Sequence, residues 1–194
     1  MGTTAAGTPY VESSDNVADY PGVSLALANH IDDTSGKVLR VVSVTKTDTF
    51  SASVAAGASV AVTDLSITLE PTISTNKLLI TAIFGAAAST EQKGNVGIGI
   101  HNGTGLIGVG GTSGSRTSVG SGGFTTASGD NKIVSMPSTQ YLYTPGSGSK
   151  TYTAHAINVR GSTETIYVNR TEGDLNDGNH TRSSSTLTIM EISA

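Results

Sequence analysis

The sequence predicts an all-β fold: an antiparallel two-sheet sandwich or jelly roll, preceded by an extended N-terminal arm and one short helix. Three observations lead there. From Val38 onward the apolar residues recur with period two, the spacing of strands with one buried face. Turns rich in Gly, Ser and Pro separate these short runs at regular intervals. Only "DYPGVSLALANHID" has helical spacing, and without crossover helices the strands must pair antiparallel.

Residues 1–14, "MGTTAAGTPYVESS", have no period and read as an extended arm. In the helix, Pro21 suits the first turn, where its missing N–H costs nothing. Asp19 stands near the cap. Val23, Leu27 and Ile31 recur at i, i+4, i+8 beside Ala26 and His30, which makes one apolar stripe. Gly36 is a stop signal. Burying the three stripe residues contributes about 1.5–3 kcal/mol each. Ordering the backbone of such a segment costs roughly 1–2 kcal/mol per residue. The helix therefore needs a partner, either copies of itself or a socket on another protein. The division expected is an arm and docking helix over 1–36 and a β-sandwich domain over 37–194.

"KVLRVVSVTKTDTF" alternates and is rich in β-branched residues. "ASVAVTDLSITLE" places Leu65, Ile67 and Leu69 on one face, and "NKLLITAIF" follows Pro71. "NVGIGIHNGTGLIGVG" reads as a hairpin with Val96, Ile98 and Ile100 on one side and Asn102-Gly103 at a turn needing positive φ. The Gly/Ser/Thr-rich segment 110–131 is either a long loop or weak surface strands. "KIVSMP", "QYLYTP", "KTYTAHAINVR", "ETIYVNR" and "STLTIMEI" are further strands, with "PGSGS" and "RGSTE" as turns. No period of 20–50 residues repeats, which excludes a solenoid or propeller. Aromatics are only 5% of the chain. They usually supply much of a core's buried area, so an oligomer is expected.

Charged residues are 13% and the net charge is −4, without the basic stripe a nucleic-acid binder carries. No apolar run is long enough to span a bilayer, and the N-terminus lacks the basic and apolar regions of a signal peptide. The absence of cysteine removes disulfides, thiolate nucleophiles and Cys-based zinc sites. No nucleophile elbow or phosphate loop occurs. His30, His101, His155 and His180 show no metal-ligand spacing. "DLNDG" (174–178) looks like a calcium loop, but position twelve is Ser185 instead of Glu. The carboxylates of Asp48, Asp64, Glu70, Glu91, Glu164 and Glu191 are spread without pairing. Three Asn-x-Thr sequons, at Asn102, Asn169 and Asn179, are of the number that chance supplies in so Thr-rich a chain. The expectation is a protein with no catalytic residues, no metal and no cofactor. Asn102 at its turn, and Tyr141 and Tyr143 on one strand face, are the candidate recognition residues. The tyrosines suit core packing, an oligomer interface or a stacking surface for a sugar.

"TPYVESSDNVADYPGVSLALANHID" resembles the N-terminal segment of tail-fibre and other virion proteins of tailed bacteriophages, particularly marine ones. "GKVLRVVSVTKTDTFSAS", "LSITLEPTISTNKLLI" and "YVNRTEG…STLTIMEI" resemble the β-domain that follows in such proteins. The resemblance covers about 8–100 and 150–194. It implies a virion structural protein, a homotrimer with a jelly-roll, tumour-necrosis-factor-like sandwich. Pro9, Tyr10, Tyr20, Pro21, Val23, Leu27 and Ile31 would then dock it on other virion proteins. A tail fibre or appendage that contacts the host, with a surface glycan as one partner, is the expectation. A head decoration (cement) protein is the alternative. Neither involves nucleic acid or membrane insertion.

Overall fold

Strands with one apolar face can bury it only against a second layer. The computed structural model of this chain shows that solution. It describes residues 2–3, 9–10, 20–32, 37–85, 87–89, 96–123, 132 and 134–194. The chain forms two compact units, Met1–Lys37 with Ser193–Ala194, and Val38–Ile192.

In the first unit β1 (Gly2–Thr3) pairs antiparallel with β2 (Pro9–Tyr10). The arm expected to be extended thus doubles back, and the pairing satisfies backbone groups that a lone arm would leave to water. Helix α1 spans Tyr20–Asp32, with Pro21 in its first turn as its missing donor requires. Val23 is buried at 4% exposure, Leu27 is at 36% and Leu25 at 62%. Asp19 and Gly36, and the side chains of Pro9, His30 and Ile31, lie outside the described residues.

The second unit holds β3 (Val38–Lys46), β4 (Phe50–Val54), β5 (Ser59–Leu69), β6 (Lys77–Ile83), β7 (Ala87–Ser89), β8 (Val96–His101), β9 (Leu106–Ile107), β10 (Ser121–Gly123), β11 (Ser138–Tyr143), β12 (Lys150–Asn158), β13 (Glu164–Val168) and β14 (Ser185–Ile192). Every pairing is antiparallel. One sheet has the order β11-β6-β14-β3 and another β10-β8-β12-β5, with β9 beside β8. A third sheet, β4-β13-β7, adds Val54, Ala87, Ile166 and Val168 to the same core. That core runs from Leu65, Ile67, Ile98, Ile100 and Tyr152 to Leu78, Ile80, Leu187 and Ile189. The all-β sandwich is therefore the architecture observed. The predicted first strand ends at Lys46 and resumes at Phe50.

Two features depart from simple alternation. Val62 and Leu65 are both buried, although an odd spacing should send them to opposite faces. A register shift opposite Thr153/His155 and a positive φ of 63° at Asp64 form a bulge that resets the parity. On β8, Gly97 and Gly99 occupy the face opposite Val96, Ile98 and Ile100. A Cβ on Gly97 would lie 2.5 Å from Val119 Cγ1, and one on Gly99 3.0 Å from Leu106 Cδ2. The Gly-rich segment after β9 is thus laid flat on a glycine stripe, with β10 returning to pair with β8. Residues 124–131 lie outside the described residues.

The strand connections are closed by buried polar side chains. Asn158 Nδ2 donates to the carbonyls of Val54, Ala55 and Ser162. Asn169, at φ 61°, donates to those of Lys46 and Asp48 and accepts from Ser185 Oγ. Glu191 has a fully buried side chain. Its Oε1 accepts from the Thr72 amide, the Thr72 hydroxyl and Asn76 Nδ2 at 2.6, 2.7 and 2.8 Å. Its Oε2 accepts from Arg40 Nε and Nη2 at 3.1 and 2.6 Å. Burial by itself pushes this carboxyl up; the hydrogen bonds from Asn76, Thr72 and Arg40 outweigh it and hold the group at about 2.

A group with a depressed folded pKa stabilises above its unfolded value and loses that contribution as pH falls through the folded one. The fold should therefore lose on the order of 3 kcal/mol between about pH 4.5 and 2. Glu191→Leu, which strands the donors and Arg40, should cost about 3–5 kcal/mol in urea unfolding at pH 7 and flatten that acid limb.

Candidate functional site

The outer face of the β11-β6-β14-β3 sheet is read directly from its registers. Leu142 pairs with Leu79, Leu79 with Met190, and Met190 with Val41. Partners in register share a face, so one apolar row crosses all four strands. Leu142 is 49% and Val41 56% exposed. Next to it runs a neutral polar row, Gln140, Thr81, Thr188 and Ser43, joined by Gln140 Nε2 to Thr81 Oγ1 at 3.1 Å and Ser43 Oγ to Thr188 Oγ1 at 2.8 Å. A third row holds Ser138, Ile83, Thr186 and Thr45. On the other side of the apolar row, Lys77 pairs with Ile192 and Ile192 with Val38. Lys77 is the single ionisable side chain among these paired outward positions. Solvent faces of antiparallel sheets are ordinarily polar, and interface cores are depleted in charge.

Sequence reasoning missed this surface. Its signal was present in the broken alternation of "KLLITAI" and "TIMEI", where Leu79 and Met190 are apolar on the wrong parity. Strands covered on both faces read that way.

The structure does bring the three expected recognition residues together. Asn102 Nδ2 donates to Tyr143 Oη at 3.2 Å. The Tyr141 and Tyr143 rings lie 6.3 Å apart, and Tyr143 meets Tyr152 edge-on at 6.2 Å. Tyr152 is fully buried, its hydroxyl meets no partner among the described residues, and burial pushes that hydroxyl up to about 12. Asn102 Oδ1 accepts from Thr104 N, Thr104 Oγ1 and Gly105 N. Its Oδ1 is committed to the turn, in which Gly103 takes φ 93°. The turn spans four residues, 102–105, between His101 and Leu106. Tyr141, 39% exposed over Gly108, retains open ring surface.

Two histidines unrelated in sequence also meet. The His101 and His155 rings stack at 4.7 Å. Burial, then His101, pushes His155 down to about 4. His155 Nδ1 lies 3.1 Å from Ser59 Oγ, and Gly103 N donates to His101 Nδ1. Among the described residues no group of three or more His, Asp or Glu side chains is placed to hold a metal ion. No helix of the described residues is long and apolar enough to cross a membrane.

No protein-family model matches the chain, and no curated protein matches it.

Asn102→Ala removes the turn's acceptor and the Tyr143 contact. It should cost about 1–3 kcal/mol, read as a lowered urea midpoint with unchanged slope.

Proposed function

We propose that this chain is a non-enzymatic virion structural protein of a tailed bacteriophage, a homotrimeric jelly roll held on the particle by its N-terminal segment. The observation that carries this reading is the strand pairing. Among eight principal strands, β3 pairs with β14, β5 with β12, β6 with β11 and β8 with β10. First with last, second with seventh, third with sixth and fourth with fifth is the wrapping of a jelly roll, an architecture of viral capsid domains. The phrases "SDNVADYPGVSLALANHID" and "YVNRTEG" supply the phage resemblance.

Self-association is supported by the outer sheet face. Its apolar row of Leu142, Leu79, Met190 and Val41 has almost no charge around it to repel another copy. A tail fibre or appendage contributing to host contact is the favoured location. Head decoration is the alternative, because a compact β-domain with a tethering segment suits capsomer clamping equally well.

Light scattering on the purified chain should give the mass of a trimer. Met190→Lys should give the monomer with an unchanged far-ultraviolet spectrum, since a charge inserted into an apolar contact is costly. A wild-type monomer would sink the trimer. Deleting residues 1–33 should leave the β-domain folded but absent from purified particles. Quantitative mass spectrometry should place the intact chain at tail stoichiometry; abundance near that of the major capsid protein would move it to the head.

A further inference from the structure

The turn between β8 and β9 carries the one Asn-Gly pair in the chain, Asn102-Gly103. An asparagine followed by glycine is open to attack on its own side chain, because glycine has no Cβ to shield the backbone nitrogen that follows. Here the chain folds the Asn102 side chain back along its own backbone. Oδ1 accepts from the amides of Thr104 and Gly105, both at 3.1 Å, which is an Asx turn. Gly103 is exposed at φ 93°, and a Cβ there would meet nothing closer than the Thr151 carbonyl at 3.9 Å.

The atoms that such an attack uses already have partners. The Gly103 N–H donates to His101 Nδ1 at 3.1 Å. A ring nitrogen that accepts this bond carries no proton, so the imidazole stands as a base on the attacking atom. His155 stacks on His101 at 4.7 Å. Burial first, then His101, pushes His155 down to about 4, and a neutral ring there sets no positive charge against proton uptake. Asn102 Oδ1, where negative charge develops, receives three donors: the Thr104 and Gly105 amides and Thr104 Oγ1 at 2.8 Å. Donors fixed in advance around a developing oxyanion are usually the largest single source of acceleration in acyl transfer. Nδ2, the leaving group, donates to Tyr143 Oη at 3.2 Å. Once Cγ is tetrahedral, Nδ2 is an amine with a lone pair, and the rotatable phenol hydrogen can reverse this contact.

We propose that the β8–β9 turn is a self-modification site that converts Asn102 through a succinimide to aspartate and isoaspartate. Gly103 N gives its proton to His101 Nδ1 and forms a bond to Asn102 Cγ, while the carbonyl electron pair moves onto Oδ1. When that pair returns, the Cγ–Nδ2 bond breaks. Nδ2 leaves as ammonia, taking its third hydrogen from Tyr143 Oη, and the proton on His101 restores the phenol through solvent. One water then opens the succinimide. Attack at Cγ leaves aspartate, and attack at the backbone carbonyl leaves isoaspartate. Nothing is oxidised or reduced. The new carboxylate has no hydrogen to donate to Tyr143 Oη, and isoaspartate lengthens the main chain of the turn. The modification therefore acts on Tyr143 and on Tyr141, whose ring lies 6.3 Å away. A turn that merely clamped the amide would protect it, so the two effects of these hydrogen bonds have opposite signs.

The test holds the purified full-length chain at neutral pH for days, native and in guanidinium chloride, and follows position 102 by peptide mapping with mass spectrometry. The native chain should lose the Asn102 amide roughly tenfold faster than the unfolded chain. Hydroxylamine should trap the succinimide, and heavy-oxygen water should leave its label at position 102. Thr104→Val, at an exposed position, removes one oxyanion donor and should slow native conversion about tenfold. His101→Gln keeps an acceptor for the Gly103 N–H without a base and should slow it by roughly a hundredfold. Tyr143→Phe should slow it as well. In guanidinium chloride all three variants should match the wild type. Thermal midpoints report whether His101→Gln is folded; if it is not, Thr104→Val and the native-to-unfolded ratio carry the test. A native rate equal to or below the unfolded one overturns the proposal, as does a Thr104→Val chain that converts as fast as the wild type or faster. The outcome is independent of the virion reading, because it is measured on the purified chain.

Discussion

The sandwich depends on one buried carboxylate. Glu191 lies on the last strand, has no exposed surface, and gathers donors from Arg40 on β3 and from Thr72 and Asn76 in the β5–β6 connection. A buried charge is tolerated only where its lone pairs are filled. Here they are filled by groups that must be brought from two parts of the chain distant from it. The interaction thereby ties the edge of one sheet to the connection that leads out of the other. Asn158 and Asn169 repeat the device with neutral amides, satisfying carbonyls that strand ladders leave open. The connections between sheets can be short because side chains complete their backbone bonding.

The two sheets are finished differently on their outer surfaces. On β8 the absence of side chains at Gly97 and Gly99 lets Leu106, Val109 and Val119 lie directly against the strand. A polar, glycine-rich segment then covers its own sheet. The β11-β6-β14-β3 sheet instead exposes an uncharged face with an apolar row across every strand. One face is covered from within the chain; the other has the composition of a surface that associates. At the β13–β14 connection two arginines and the buried side chain of His180 brace a polar loop.

Legibility followed the range of the interaction. The period-two pattern named the inward faces of β5 and β8, and Pro21 with Val23 and Leu27 marked the helix. These depend on neighbours within a few residues. The bulge at Asp64 was hidden because Val62 and Leu65 share a face only when one residue leaves the pleat. The candidate interface was visible only as broken alternation in β6 and β14. Asn102 Oδ1 is bonded into its own turn, which the Asn-Gly pair announces but whose hydrogen-bond partners it does not name.

By itself the sequence determined that the chain is an antiparallel β-protein with a helix near its N-terminus, because backbone geometry ties side-chain direction to residue parity and period. Only the tertiary structure decided which strands are neighbours, and therefore everything built on neighbourhood. The burial of Glu191 among Arg40, Thr72 and Asn76, the stacking of His101 on His155, and the row of Leu142, Leu79, Met190 and Val41 all join residues far apart in the chain. Parity says which way a side chain points; it carries no information about what stands beside it.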